Sequence, residues 1–319
     1  MNDPATHTVG RPCCPLCTSE GPVLHANLRD RLCDLPGTWS IRRCPNPACR
    51  LLWLDPMPLP EDLPSLYANY YTHQIERPKR RTIAHLAYRC LLTISGLARQ
   101  RTGLRLFLLA NRTPARLLEV GCGSGERLAQ LRALGWSVEG QEIDPAAAES
   151  ARRRGLPIHL GQLHELSLPA NCYDAVVTNH VLEHVPEPLL LLRECCRVLK
   201  SGGYFALITP NSESFGHRRF GAAWLSLDPP RHLHLFNART LRQLAEQAGL
   251  RDCRVYTSAA NAQFVAEGSL AIARTGKHHF GRRPDPGIVF SSLIFQLQAL
   301  VVLRREPFSG EECILTATK

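Results

Sequence analysis

The sequence has no apolar stretch near its start: the residues after Met1 are polar and include Pro4. A secretory leader needs an apolar region of roughly 7–15 residues, so the expected compartment is the cytosol. Cysteines stay reduced there, and the 13 present, an odd number, are expected as thiols or metal ligands rather than disulfides. No window reads as the ~18 or more apolar residues of a bilayer span. Ile288 to Leu303 comes closest and is broken by Ser291, Ser292, Gln296 and Gln298. No long Lys/Arg run marks a nucleic-acid tail, and no internal repeat points to a solenoid. The net charge of +10 is scattered instead, with clusters at Arg77–Arg81, Arg152–Arg154 and Arg218–Arg219. These read as a solvated basic surface.

What is present suits a folded chain. With 319 residues, 44% hydrophobic and 21% charged, it is long enough for an α/β core and an appended module. Residues 1–54 are rich in Cys, Pro and Arg and lack periodic apolar pattern, as in a small metal-stapled module. Residues 55–112 form a Pro-punctuated linker and a helical lid, with a helix expected over Thr82–Ala110. From 113 to 319 strands and helices alternate. Strands are expected at Arg116–Val120, Trp136–Glu139, Ile158–Leu160, Tyr173–Thr178, Tyr204–Thr209, Cys253–Thr257 and Cys313–Thr318. Helices are expected at Glu126–Leu134, Pro145–Arg154, Pro188–Leu199 and Thr240–Gln247, with a helical insertion at about 260–308. This order implies an α/β fold, a mainly parallel sheet with helices on both faces.

Glu119-Val120-Gly121-Cys122-Gly123-Ser124-Gly125 stands between the first strand and helix, where such a sheet needs its ligand loop. A dinucleotide fingerprint would require glycine at position 126, which is Glu126. The Gly-x-Gly-x-Gly spacing after an acidic residue resembles motif I of the class I S-adenosylmethionine methyltransferases. Glu142 follows at the end of the second strand, Gln162-Leu163 after the third, and Asp174 opens the fourth. Asn179-His180-Val181-Leu182-Glu183-His184 then resembles the group's Val-Leu-Glu-His-Val signature. The resemblance implies a Rossmann-like seven-stranded sheet and cofactor contacts from Glu119, Gly121, Cys122, Gly123, Gly125, Glu142, Ile143, Gln162, Leu163 and Asn179. Asp144, before Pro145, reads as a helix cap. Cys122 reads as a tolerated small side chain, not a reactive one.

Cys14-Pro15-Leu16-Cys17 and Cys44-Pro45-Asn46-Pro47-Ala48-Cys49 form two knuckles that can present Cys14, Cys17, Cys44 and Cys49 to one structural zinc. Cys13 can replace Cys14 in register, and Cys33 is spare. The layout resembles bacterial methyltransferases with an N-terminal zinc-ribbon-like module, found among sugar- and natural-product-modifying enzymes. Asp55-Pro56 through Leu66-Tyr67 to Tyr70-Tyr71 resembles the linker of that subgroup. The C-terminal extension of the deoxysugar C-methyltransferases has no counterpart, which argues against C-methylation; oxygen is the expected acceptor atom.

Methyl transfer to a hydroxyl needs alignment and a proton acceptor. His180, Glu183 and His184 stand at i, i+3, i+4, so a helical turn would gather them on one side. Ubiquinone-pathway O-methyltransferases carry Glu-x-x-Glu-His here as a divalent-metal cluster. His180 replaces the first Glu, which argues against magnesium. Pro229-Pro230-Arg231-His232-Leu233-His234-Leu235-Phe236 resembles a further subgroup motif that borders the acceptor. Catalytic candidates are therefore His184 or His232 as base, with Glu183. For Glu183 and His184 the alternative is a structural role in holding the loop, and for His232 it is packing that shapes the lid.

The expected acceptor is a glycan, sugar-derived or secondary-metabolite molecule, lipid-linked acceptors included. Basic aliphatic stretches at Thr82–Ala110 and Ile288–Arg305 read either as a lid or as a weak membrane-surface contact, which would place the protein peripherally at the inner membrane face. Two other readings stay open: an RNA methyltransferase that binds nucleic acid through the zinc module, and a non-catalytic scaffold.

Overall fold

The structure, a computed structural model, describes residues 7–67, 96–282 and 284–319. Five short strands open it: β1 (Thr8–Val9), β2 (Val23–Leu28), β3 (Trp39–Arg43), β4 (Leu52–Asp55) and β5 (Met57–Pro58). β2, β3 and β4 run antiparallel, and β1 pairs with β5. Register shifts between β2 and β3 break the two-residue period that would betray strands in the sequence. A 3-10 turn spans Pro60–Tyr67 and α1 spans Leu97–Arg105. The rest of the linker and lid expectation, Tyr70, Tyr71 and residues 82–95, lies outside the described residues.

Then come β6 (Arg116–Val120), α2 (Glu126–Ala133), β7 (Ser137–Glu142), α3 (Pro145–Arg153), β8 (Ile158–Leu160) and β9 (Tyr173–Asn179). They are followed by α4 (Pro188–Val198), β10 (Leu199–Pro210), α5 (Phe215–Phe220), β11 (His234–Leu235) and α6 (Ala238–Gln247). The chain closes with β12 (Arg251–Ser258), α7 (Ala262–Thr275), α8 (Pro286–Arg305) and β13 (Glu312–Thr318). The helix starts have local causes. Asp144 caps α3 by accepting from the Ala146 and Ala147 N–H groups, with Pro145 in the first turn. Asn237 and Thr240 form a capping box, so α6 begins two residues before the expected Thr240.

Seven strands form the main sheet in the order β12-β13-β10-β9-β6-β7-β8. Neighbours from β10 to β8 are parallel, while β13 is antiparallel to both β10 and β12. The chain leaves β6 in one direction and returns to β9 on its other side. That reversal is the switch point at which an open α/β sheet takes its ligand. Alternate residues of the central strands enter two cores: Leu118, Val120 and Val176 pack with α4 and α6, and Leu117, Ala175 and Val177 pack with α1 and α2. The sheet is thus covered on both faces.

Two observations change the picture drawn from the sequence. The four-stranded sheet of the N-terminal segment is not closed within residues 1–54: its order is β11-β4-β3-β2, with His234 opposite Trp53 and Leu235 opposite Leu52. And α8 is, by length and composition alone, apolar enough to cross a membrane, with mean hydropathy 1.9 over its most apolar 18 residues. The interrupting Ser and Gln residues do not lower the window as far as expected.

Candidate functional site

The loop after β6 has positive φ at Gly121, Gly123 and Gly125 (69°, 55° and 75°), a region that favours glycine. The three are not equivalent. A Cβ on Gly121 would lie 2.2 Å from Val181 Cγ2, and one on Gly125 would lie 2.5 Å from Leu156 Cδ1. A Cβ on Gly123 would meet nothing within 4 Å. Gly121 and Gly125 are therefore packing glycines, whereas the backbone at Gly123 is open for a ligand to approach.

Two carboxylates frame that opening. Glu142 is buried and accepts from the N–H groups of Gly123 (2.7 Å), Ile143 (2.9 Å) and Asp144 (3.0 Å), which fixes its orientation. Glu119 is 1% exposed and accepts from Arg127 Nη1 at 3.1 Å through one oxygen. Its Oε2 has no hydrogen-bond partner among the described residues. Burial raises its pKa to about 7, and Arg127 offsets only part of that. Ile143 is 55% exposed beside Glu142, an apolar surface for a base to rest on. Leu163 is buried in the core, which leaves its backbone rather than its side chain to a ligand; Gln162 is exposed, and Asn179 ends β9 partly buried. Cys122 is buried with its sulfur against Gly140, and burial pushes its thiol pKa up. That fits a packing role.

These features suit S-adenosylmethionine. Its ammonium and sulfonium charges match an unpaired buried carboxylate oxygen, its ribose hydroxyls match Glu142, and the open glycine admits it to the backbone.

The segment after β9 forms one 3-10 turn, Leu182–His184, and does not gather the three expected side chains on one side. His180 has φ 53° and points away from His184. It donates through Nδ1 to Glu183 at 3.0 Å and through Nε2 to Glu312 at 3.1 Å. Burial by itself would lower its pKa, but the two carboxylates dominate and raise it to about 10. Glu183 is fully buried; burial would raise its pKa, yet His180 brings it down to about 2. Its second oxygen accepts from Thr209 Oγ1 at 3.0 Å. A His–carboxylate chain therefore ties the ends of β9, β10 and β13 together. Glu312, which Asn261 also holds, was not read from the sequence.

His184 turns to the other side. Its Nδ1 donates to the Arg231 carbonyl at 3.1 Å and lies 2.9 Å from Tyr67 Oη. Its ring meets that of His232 edge-on with centroids 4.6 Å apart. Burial and His232 lower its pKa to about 4, so it is neutral at pH 7. His232 donates through Nδ1 to the Ser226 carbonyl at 2.8 Å, which leaves the lone pair on Nε2. The polar atoms of Glu183, His184 and His232 come within 4.8 Å of one another, but both Glu183 oxygens already accept hydrogen bonds.

The loop that carries His232 is pinned to the N-terminal segment by a buried ion cluster. Arg231 is fully buried and binds Asp30 through Nη1 (2.9 Å) and Nη2 (2.6 Å), and Asp228 through Nε (3.0 Å) and Nη2 (2.6 Å). Asp30 also accepts from the N–H groups of Leu32, Cys33 and Leu35. The Leu233 N–H donates to the Glu183 carbonyl at 2.8 Å, and that of Leu54 to the Leu233 carbonyl at 3.0 Å. The N-terminal segment thus buttresses the His232 loop. Arg231 and Tyr67 stood within motifs noted in the sequence, whereas nothing near Asp30 signalled its partner 201 residues away.

Cys14, Cys17, Cys44 and Cys49 converge, with their sulfurs within 4.8 Å of one another. The Cys14–Cys49 and Cys17–Cys44 sulfurs are 3.7 and 3.3 Å apart. A tetrahedral zinc with Zn–S of about 2.3 Å needs sulfurs about 3.8 Å apart, so the donor set and spacing fit. Cys13 is exposed and stands outside this group.

The family described as a methyltransferase domain matches residues 95–255, which is 161 of 319 residues, and the chain belongs to it. Within that class it resembles a "Probable S-adenosylmethionine-dependent methyltransferase" of Mycolicibacterium smegmatis, 34% identical over 165 residues, covering 49% of this chain and 62% of that protein. It also resembles the "Ubiquinone biosynthesis O-methyltransferase" of Xanthomonas oryzae pv. oryzae, 33% identical over 129 residues, 38% of this chain and 54% of that protein. The chain spans less than two thirds of the length of these curated relatives. A crystal structure of a SAM-dependent methyltransferase from Archaeoglobus fulgidus overlays with a TM-score of 0.47 at 22% identity, over 70% of this chain and 92% of that one.

Proposed function

We propose that this protein transfers the methyl group of S-adenosylmethionine to a hydroxyl oxygen of a glycan, sugar-derived or other secondary-metabolite acceptor. The observation that carries the reading is the contact between Gly121 of the cofactor loop and Val181 of the segment bearing Glu183 and His184. It joins a loop suited to the methyl donor to a set of imidazoles suited to the acceptor. The bound cofactor supplies a methyl carbon on a sulfonium, open to in-line displacement by a nucleophile. Glu119 and Glu142 hold the cofactor's charged and hydroxyl groups. His184 or His232 takes the acceptor proton, and each ring is positioned through Nδ1 by a backbone carbonyl. Glu183 stays ionised and keeps the turn beneath them in place.

We further propose that Cys14, Cys17, Cys44 and Cys49 hold a structural zinc that stabilises the N-terminal segment and, through Arg231, the loop of His232. The test of the reading is turnover of glycan and small hydroxylated acceptors with the cofactor saturating. Alanine at His184 or at His232 is expected to lower kcat about 100-fold or more, with cofactor affinity retained. Near-normal turnover in both variants would overturn the assignment of the base. Absence of cofactor binding by calorimetry would overturn the function.

A further inference from the structure

The last helix is apolar on both its inner and its outer side. α8 (Pro286–Arg305) buries Ile288, Phe295 and Ala299 against the protein, together with polar Ser292 and Gln296. Gln296 donates to the Ala259 carbonyl at 2.9 Å and accepts from the Gln263 N–H at 3.1 Å, which ties the helix to α7 (Ala262–Thr275). The opposite side carries Phe290, Ile294, Leu297 and Val301, each between 42% and 66% exposed. Steps of four, three and four residues keep these side chains in one stripe along the helix. Phe308, just beyond it, is 55% exposed. A helix that is apolar on every side is expected to be buried. Only 28% of the most apolar window of α8 is.

The margins of this stripe are basic. Arg219 lines an open groove with Phe215, Leu297, Gln298, Val301 and Val302. Arg218, Arg304 and Arg305 are exposed nearby in sequence and space, Arg218 reaching Glu306 just past the helix.

We propose that this face of α8 lies in the headgroup–acyl boundary of an anionic bilayer leaflet. The exposed apolar side chains enter the boundary and the arginines meet lipid phosphates. Two other occupants fit less well. A second copy of the chain would bring together two molecules that each carry a net charge of +10. A full span would strip Gln296 from Ala259 and Gln263 and leave it unpaired in hydrocarbon. The inference does not rest on the methyl-transfer reading.

The experiment is co-sedimentation of the full chain with vesicles of phosphatidylcholine alone and of phosphatidylcholine with phosphatidylglycerol. Binding is expected to the anionic vesicles, much less to the neutral ones, and several-fold weaker at ~0.5 M salt. Leu297→Glu with Val301→Glu is expected to weaken it about tenfold or more. Arg219→Ala with Arg304→Ala and Arg305→Ala should weaken it severalfold. An unchanged thermal melt shows that a variant is folded, and if the glutamate pair fails that check the arginine set decides. No binding by the wild type, or binding that the folded variants leave unchanged, overturns the proposal. A dimer in sedimentation velocity that the same substitutions dissolve, without vesicle binding, overturns it in favour of self-association.

Discussion

Replacing Glu119 by Gln isolates one charge at the foot of the cofactor loop. The carboxylate is buried, one oxygen rests on Arg127, and the other has no partner among the described residues. Burial raises its pKa to about 7, so near neutrality much of it is protonated in the free protein. A cationic ligand that engages the free oxygen must drive that proton off. Sign follows from linkage: the bound state holds fewer protons, so cofactor affinity falls as pH falls below 7. With a free pKa near 7 and a much lower bound one, Kd rises roughly eightfold from pH 7.5 to pH 6. The ligand's own ammonium, with a pKa of about 7.7–8.0, becomes more fully charged as pH falls, so it opposes the loss and trims the net rise to about five- to sixfold. Glutamine keeps the shape and the bond to Arg127 but removes the charge. Losing a charged hydrogen bond costs about 1.5–3 kcal/mol, or roughly ten- to hundredfold in Kd. Calorimetric titration of both proteins with S-adenosylmethionine at several pH values reads both effects. If the glutamine variant keeps the wild-type pH slope, Glu119 is not the titrating group; if it keeps the wild-type Kd, it does not hold the cofactor.

Three other outcomes are expected. Arg231→Met leaves Asp30 and Asp228 buried without their cation, and should cost about 3–5 kcal/mol in urea unfolding at neutral pH. The deficit should narrow as acid protonates the stranded carboxylates, and a constant deficit would point to lost packing instead. His180, raised to about 10 by Glu183 and Glu312, gives stability that is fully present below its unfolded value of about 6.5 and lost as pH rises through 10. Melting curves of wild type and His180→Gln should therefore converge on the alkaline side. Gly121→Ala drives a methyl to within 2.2 Å of Val181 at φ 69° and should abolish measurable cofactor binding. Gly202→Ala, at φ 71° with nothing within 4 Å, should cost only about 1 kcal/mol and leave binding intact.

The readable part of this protein was the part written in short range. The run from Arg116 to Gly125 places a buried strand, positive-φ glycines and a helix start within ten consecutive residues, so its role showed in sequence. Asp144 and Pro145 announce a helix start in the same way. The arrangement of His180, Glu183 and His184 differs from a helical turn, and spacing alone cannot tell such a turn from a 3-10 turn preceded by a positive-φ residue. The actual geometry sends His180 to Glu312 and His184 to His232.

Local pattern is enough to set the alternating order of strand and helix, the glycine loop, the position of its acidic partners and the two cysteine knuckles. Each is set by backbone torsion, helix capping or ligand spacing within a few residues. Long-range packing sets the rest: β11 completes the N-terminal sheet, Asp30 grips Arg231, Glu119 keeps one oxygen without a partner among the described residues, and a second apolar side of α8 faces outward. Those outcomes join residues up to 201 positions apart. They depend on which groups burial deprives of water, and a chain's local pattern carries no record of that.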